Sequence, residues 1–184
     1  MLIQSREELL EYISQENEVE YLFFWGHQSN KNKITKSCLS QWFESSFIVN
    51  DLIYATAEHF MMYQKAILFG DMTVANKILT ATTPNDAKKL GRDISNFDDE
   101  IWNKYRFDIV VQANLHKFSQ HSELNSFLLS TNDLILVEAS PVDKIWGIGI
   151  AADHPDAKNP IKWQGLNLLG YALMVVREKL RANL

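Results

Sequence analysis

At Thr56 the apolar pattern of the chain changes period, and this change constrains the fold more than any other feature. Before it, Phe47-Ile48-Val49 and Leu52-Ile53-Tyr54 are short β-branched and aromatic runs flanking Asn50-Asp51, which predicts two strands about a tight turn. After it, Phe60, Tyr63 and Ile67 recur at spacings of three, four and seven, with Met61 and Leu68 on a neighbouring stripe. That is the period of an α-helix, which Thr56 can cap and which ends near Gly70. The same logic divides the rest of the chain. Ser5 with Glu8 forms a capping box for a peripheral helix through Leu9, Leu10 and Ile13. Asp71 starts another helix, and Thr83-Pro84 supplies a cap and a first-turn proline for one that closes at Gly91. Asp98 caps a long segment from Ile101 to Phe118, followed by a helix from Ser122 to Leu129. The last helix is expected from about Gln164 to Leu180, with Leu166, Leu169, Leu173, Val176 and Leu180 as its apolar stripe. Val19 to Trp25 and Leu134 to Val137 read as strands. The expected fold is mainly α with a small β component, in a single domain.

A length of 184 residues suits one domain, and the few scattered glycines and prolines mark no linker. Folding at this size buries roughly 70% of the surface the unfolded chain exposes, enough for a core without staples. Cys38 is the only cysteine, so the chain holds no disulfide and no four-cysteine metal site, which suits a reducing compartment and an expected cytoplasmic location. The N-terminal residues lack the basic and apolar regions of an export signal, and no run is apolar enough to span a membrane. Eighteen basic against 23 acidic residues give a net charge of −5, which disfavours an extended nucleic-acid surface. Neither a membrane nor a long polyanion is an expected partner, and the sequence carries no signal for an oligomeric state.

Familiar catalytic signatures are absent. Glu58-His59 lacks the second histidine of a zinc protease, and Gly147-Ile148-Gly149 lacks the third glycine of a dinucleotide fingerprint. No phosphate-binding loop of the Walker type and no serine-hydrolase elbow occurs. A lone cysteine such as Cys38 is usually a small buried hydrophobe. Two constellations remain. Glu58 falls in the first turn of its helix, where the dipole favours its charge, and Lys65 lies seven residues on, about 10 Å along the same face. Such a pair can bracket one substrate, although a dipole-stabilising glutamate with a solvated lysine is the commoner arrangement. His59 beside them reads as structural. The second constellation is the loop from Glu138 to Gly147, leaving an apolar strand. Asp143 offers a carboxylate near the flat face of Trp146, and Gly147 and Gly149 permit close backbone approach. An ordinary turn packed by a tryptophan fits equally well. Trp163, Gly165 and Asn167 open the last helix, whose N-terminus is a potential anion site. Arg92, after Gly91, is a candidate phosphate ligand, with pairing to Asp93 the alternative. Lys31, Lys33 and Lys36 are expected to be solvated.

Four of these segments, in order, carry a family resemblance. Thr56-Ala57-Glu58-His59-Phe60-Met61-Met62-Tyr63-Gln64-Lys65-Ala66, Leu90-Gly91-Arg92, Glu138 to Gly147 and Trp163 to Gly170 together resemble the signatures of the YbiA-like, or NADAR, family. The likeness runs from about Tyr21 to Leu180 and includes Phe97-Asp98-x-x-x-Trp102 and Ala113-Asn114-x-x-Lys117-Phe118. Residues 1–20 would then be an N-terminal extension packed on a domain at 21–184. The resemblance implies a helical N-glycosidase acting on phosphoribosylated aminopyrimidines of riboflavin biosynthesis, or on ADP-ribosylated guanine bases. A sensor that binds ADP-ribose without cleaving it is the non-enzymatic alternative. Glu58 and Asp143 would be the catalytic acids, Lys65 a nucleophile or phosphate ligand, and Arg92, Trp146, Gly147, Asn167 and Trp42 substrate contacts. No cofactor or metal is implied. The family's Phe-Ser-Asn-Phe stretch is Leu39-Ser40-Gln41-Trp42 here, a longer amide in place of asparagine.

Overall fold

The turn at Asn50-Asp51 sets the first sheet. Both residues take left-handed backbone angles, φ 49° and 64°, the conformation that matches the twist of a two-residue hairpin. In the computed structural model, which describes residues 2–28, 30 and 33–182, this turn joins β2 (Phe47–Val49) to β3 (Leu52–Tyr54), antiparallel with Phe47 opposite Tyr54. The other strands, β1 (Tyr21–Phe24) and β4 (Ile135–Glu138), form a parallel pair with Tyr21 opposite Ile135. The seven helices of the described chain are α1 (Arg6–Ser14), α2 (Ala57–Leu68), α3 (Met72–Leu79), α4 (Pro84–Leu90), α5 (Asp99–Gln120), α6 (Ser122–Ser130) and α7 (Leu168–Arg181). The expected mainly helical fold with a small β component is the fold observed, and the chain divides into two compact units.

The second unit, Gln41–Ser122, is built on its helix caps. Thr56, Asp71, Thr83 and Asp98 each accept a backbone N–H from three residues on, so each helix starts where its cap residue predicts. Phe47, Tyr54, Ala57, Phe60 and Ala113 form a common core, with the Tyr54 and Phe60 rings edge to face at 5.0 Å. Gln120 at the end of α5 clamps the hairpin. Its Oε1 accepts the Ile48 N–H at 2.9 Å and its Nε2 donates to the Ile48 carbonyl at 2.8 Å. Gly91 closes α4 with φ −64°, so no left-handed turn calls for glycine there, although a Cβ would run into Met62 Sδ and oblige that side chain to move.

The first unit comprises Met1–Ser40 and Glu123–Leu184. Here α1 is capped by Ser5, whose Oγ accepts the Glu8 N–H at 3.1 Å. The last helix departs from expectation. It begins at Leu168, not Gln164, because Asn167 is left-handed at φ 54° and the backbone from Gln164 to Asn167 is bonded to the preceding loop. Leu166 is therefore outside the helix and 43% exposed, and burial is not confined to a stripe: Leu169 to Arg177 are all buried. Gly170 makes this packing possible, since a Cβ there would meet the Leu136 carbonyl and lie 2.6 Å from the Asn167 amide nitrogen. Gly170→Ala is expected to destabilise the protein by about 3 kcal/mol, read from denaturant unfolding, because the obstruction is backbone and cannot swing aside.

Candidate functional site

The second unit places Glu58 in the first turn of α2, 3% exposed, with its N–H donating to the Gln41 carbonyl at 3.0 Å. A carboxylate there sits on the positive end of the helix. The Gln41 side chain faces inward as well, its Oε1 accepting from Asn114 Nδ2 at 2.7 Å, so Trp42 follows a residue fixed from two sides. Lys65 is not the solvated lysine its position suggests. Its ammonium donates to the Gly91 carbonyl at 2.7 Å and lies 4.1 Å from the Phe97 ring centroid and 5.6 Å from that of Trp102. Burial pulls its pKa below the usual lysine value, partly offset by the charges of Asp99 and Glu58. The Gly91 contact brings Lys65 next to the backbone that carries Arg92. That arginine is exposed, and its guanidinium forms no ion pair with Asp93 or any other described residue.

His59 is structural. Its Nδ1 meets Thr56 Oγ1 at 2.8 Å and its Nε2 meets the Ala81 carbonyl at 3.1 Å, in a site 1% exposed.

In the first unit, the loop after β4 is held by its own carboxylate. Asp143 Oδ1 accepts the N–H groups of Ile145 at 2.9 Å and Trp146 at 2.8 Å, which fixes the side chain and leaves Oδ2 with no hydrogen bond among the described residues. Gly147 lies against this turn so closely that a Cβ would come 2.8 Å from the Glu138 carbonyl and 3.0 Å from that of Asp143. The segment that follows η-turn Pro160–Lys162 runs along the loop. Gln164, Leu166, Asn167, Leu168 and Leu169 donate in turn to the carbonyls of Ile148, Lys144, Gly147, Ile145 and Trp146. These bonds use the first N–H groups of α7, so the expected anion site at that helix terminus is not available. Asn167, fully buried, spends its amide on the strand: Oδ1 accepts the Glu138 N–H and Nδ2 donates to the Leu136 carbonyl, both at 2.9 Å.

The structure thus gathers Glu58, Lys65, Trp42 and Arg92 in one unit and Asp143, Trp146, Gly147 and Asn167 in the other. Lys31 lies outside the described residues, and Lys36 donates to the Phe23 carbonyl at 2.7 Å. Reading of motifs alone gave no role to Gln41, Asn114, Phe97 or Trp102. The only sequence signal for the last three is that they recur within the family-like segments. Among the described residues, no three or more His, Cys, Asp or Glu side chains are grouped to hold a metal, and no helix is long and apolar enough to cross a membrane.

Residues 23–181 match the model of the NADAR domain. An N-glycosidase of Acanthamoeba polyphaga mimivirus is 44% identical over 165 residues, covering 87% of this chain and 96% of the viral protein. The solution structure of YbiA from Escherichia coli superposes with a TM-score of 0.70 at 28% identity, over 91% of this chain and 88% of that one. A riboflavin biosynthesis protein of Vibrio vulnificus is 30% identical over 145 residues, 79% of this chain and 36% of that longer protein. The class these matches define is that of glycosidases acting on N-glycosyl bonds. Within it, the chain belongs to the NADAR domain family.

His59 gives the second unit a pH dependence. Burial lowers its pKa from 6.5 in spite of the Ala81 hydrogen bond and the charge of Asp86. The unfolded chain therefore takes up a proton that the folded one resists, and stability present above pH 6.5 is lost as the pH falls below it. Denaturant midpoints of the wild type are expected to drop between pH 7.5 and 5.5, and the drop to shrink in His59→Gln.

Proposed function

We propose that the protein hydrolyses the C1'–N bond of phosphoribosylated aminopyrimidines, intermediates of riboflavin biosynthesis. The observation that carries this reading is the seating of Lys65, an amine drawn toward its neutral form by burial, on the same helix as the buried Glu58. Such substrates are glycosylamines, whose sugar opens to an imine at C1' that a neutral amine can attack. The Vibrio relative's name, a riboflavin biosynthesis protein, supports the substrate class.

Cleavage builds positive charge at C1' and needs a proton at the departing nitrogen. Glu58 is assigned the proton. Asp143, with Oδ1 fixed by two amides, is assigned the stabilisation of the positive charge at C1'. Attack of the Lys65 amine at C1' of the opened imine forms a C–N bond as the C=N π pair moves to the pyrimidine nitrogen; the two protons lost by the lysine nitrogen pass by way of Glu58 to that nitrogen, which leaves as the pyrimidine amine, and water then cleaves the lysine imine to free sugar and amine. Arg92, which forms no ion pair among the described residues, is assigned the phosphate, and Trp42 and Trp146 are assigned aromatic contacts with the base or sugar. Gly147 acts by letting the loop pack on the Glu138 and Asp143 carbonyls, and Asn167 by holding β4 in place.

The test is release of free base, followed by mass spectrometry, from the phosphoribosylaminouracil intermediate and separately from ADP-ribosylated guanosine. Cleavage of the first supports the proposal; cleavage of the second alone, or binding without cleavage, overturns it. Glu58→Gln and Asp143→Asn should each lower turnover by about a hundredfold or more, and full activity in both variants would sink the assignment. Borohydride added during turnover should trap a sugar adduct on Lys65, lost in Lys65→Met. Because its pKa is lowered, the Lys65-dependent rate should rise with pH through a midpoint below 10.5, the ordinary lysine value. A chelator should leave turnover unchanged.

A further inference from the structure

Helix α1 precedes the family-matched segment, which starts at residue 23, yet one of its side chains reaches the backbone that supports the Asp143 loop. Arg6 donates from Nη1 to the Trp163 carbonyl at 2.9 Å. Its Nε is buried and makes no hydrogen bond among the described residues, so the Trp163 carbonyl is the hydrogen-bond partner the structure shows for this guanidinium. A helix that only covered an apolar surface would use residues like Leu9, which is fully buried, and would not turn a cation inward.

Trp163 is the end of the segment that runs along the loop. Its indole N–H donates to the Ala157 carbonyl at 2.8 Å, its ring meets Tyr21 edge to face at 6.3 Å, and its carbonyl takes Arg6. The next residues are bonded to the carbonyls of Ile148, Lys144, Gly147, Ile145 and Trp146. Gly165 packs on the Gly147 carbonyl, and a Cβ there would lie 2.8 Å from Lys144 Cα. At the far end the Asn167 amide fixes the segment to β4. The segment is thus tied at both ends, by Asn167 from within and by Arg6 from outside the family match. Close packing leaves little room for one end to shift without carrying the residues bonded to it.

We propose that Arg6 is a positioning residue for the Asp143–Trp146 loop, acting through the Trp163 carbonyl, so that the N-terminal helix is a working part of the enzyme. The functional half of this inference rests on Asp143 serving in the reaction; the structural half does not. Both are tested in the full chain with Arg6→Gln, Arg6→Lys and, as a control on the exposed face of α1, Glu11→Gln. Hydrogen exchange should show the Ile145 and Trp146 amides, which bond to Asp143 Oδ1, exchanging about fivefold faster in Arg6→Gln, with α2 amides unchanged. In the base-release assay kcat should fall about tenfold with KM nearly constant, as expected when a reacting group is misaligned and binding is intact. Arg6→Lys should recover part of both effects, and Glu11→Gln should match the wild type. Wild-type exchange at Ile145 and Trp146 in Arg6→Gln overturns the inference, as does a rise in KM at constant kcat. If Arg6→Gln fails to fold, Arg6→Lys decides by the same two readouts. Should the wild type release no base, the functional reading fails while the exchange data still decide whether Arg6 holds the loop.

Discussion

The side-chain amide of Asn167 stands in for a peptide group beside β4, and the first unit is arranged around it. A two-stranded parallel sheet offers few ladder bonds, and β4 would otherwise leave the outer edge of Leu136 and Glu138 to the interior. A buried amide or carbonyl without a partner costs about 1–3 kcal/mol, so a donor and an acceptor at that spacing are required. Asn167 supplies both. To reach them it takes a left-handed backbone, which shorter polar side chains such as asparagine tolerate better than most. That conformation in turn delays the start of α7 and turns Gln164–Asn167 onto the loop that bears Asp143. Gly165 and Gly170 follow as consequences, because the backbones now approach too closely for a Cβ.

The second unit solves a different problem, that of placing an amine in a half-buried site. Two opposed effects act on Lys65. Aromatic faces at Phe97 and Trp102 and the charges of Asp99 and Glu58 favour the cation, whereas loss of water disfavours it. Desolvation is the larger, so the amine is held closer to neutrality than a surface lysine while the Gly91 carbonyl keeps it oriented. Glu58, seven residues earlier on the same helix, shares that rigid frame, so their separation is set by helix geometry and not by a loop.

Much of this was legible in the sequence because it is local. Ser5, Thr56, Asp71, Thr83 and Asp98 cap the helices they precede, and Asn50-Asp51 makes the hairpin, since caps and tight turns depend on residues a few positions apart. What was not legible depends on distant partners. The apolar spacing at Leu166 and Leu169 continues the pattern of α7, and only the bonds to residues 144–148 show that the helix starts at Leu168. Lys65 resembles a solvated lysine until Gly91, Phe97 and Trp102 are placed around it. The two carboxylates stood out from ordinary surface or turn residues through the family resemblance alone; helix position and loop chemistry left each evenly balanced or worse.

Gln120 repeats at the hairpin what Asn167 does at β4, and the consequence concerns the protein's behaviour at high concentration. Ile48 and Ile53 face each other across the hairpin and are 55% and 64% exposed, a β-branched pair of the kind that invites another chain to dock as an added strand. Such docking begins with backbone groups, and those of Ile48 are already taken by the Gln120 amide. On the β2 edge the greasy surface is therefore present with the Ile48 backbone groups already filled, and a single glutamine side chain serves as the guard of that edge.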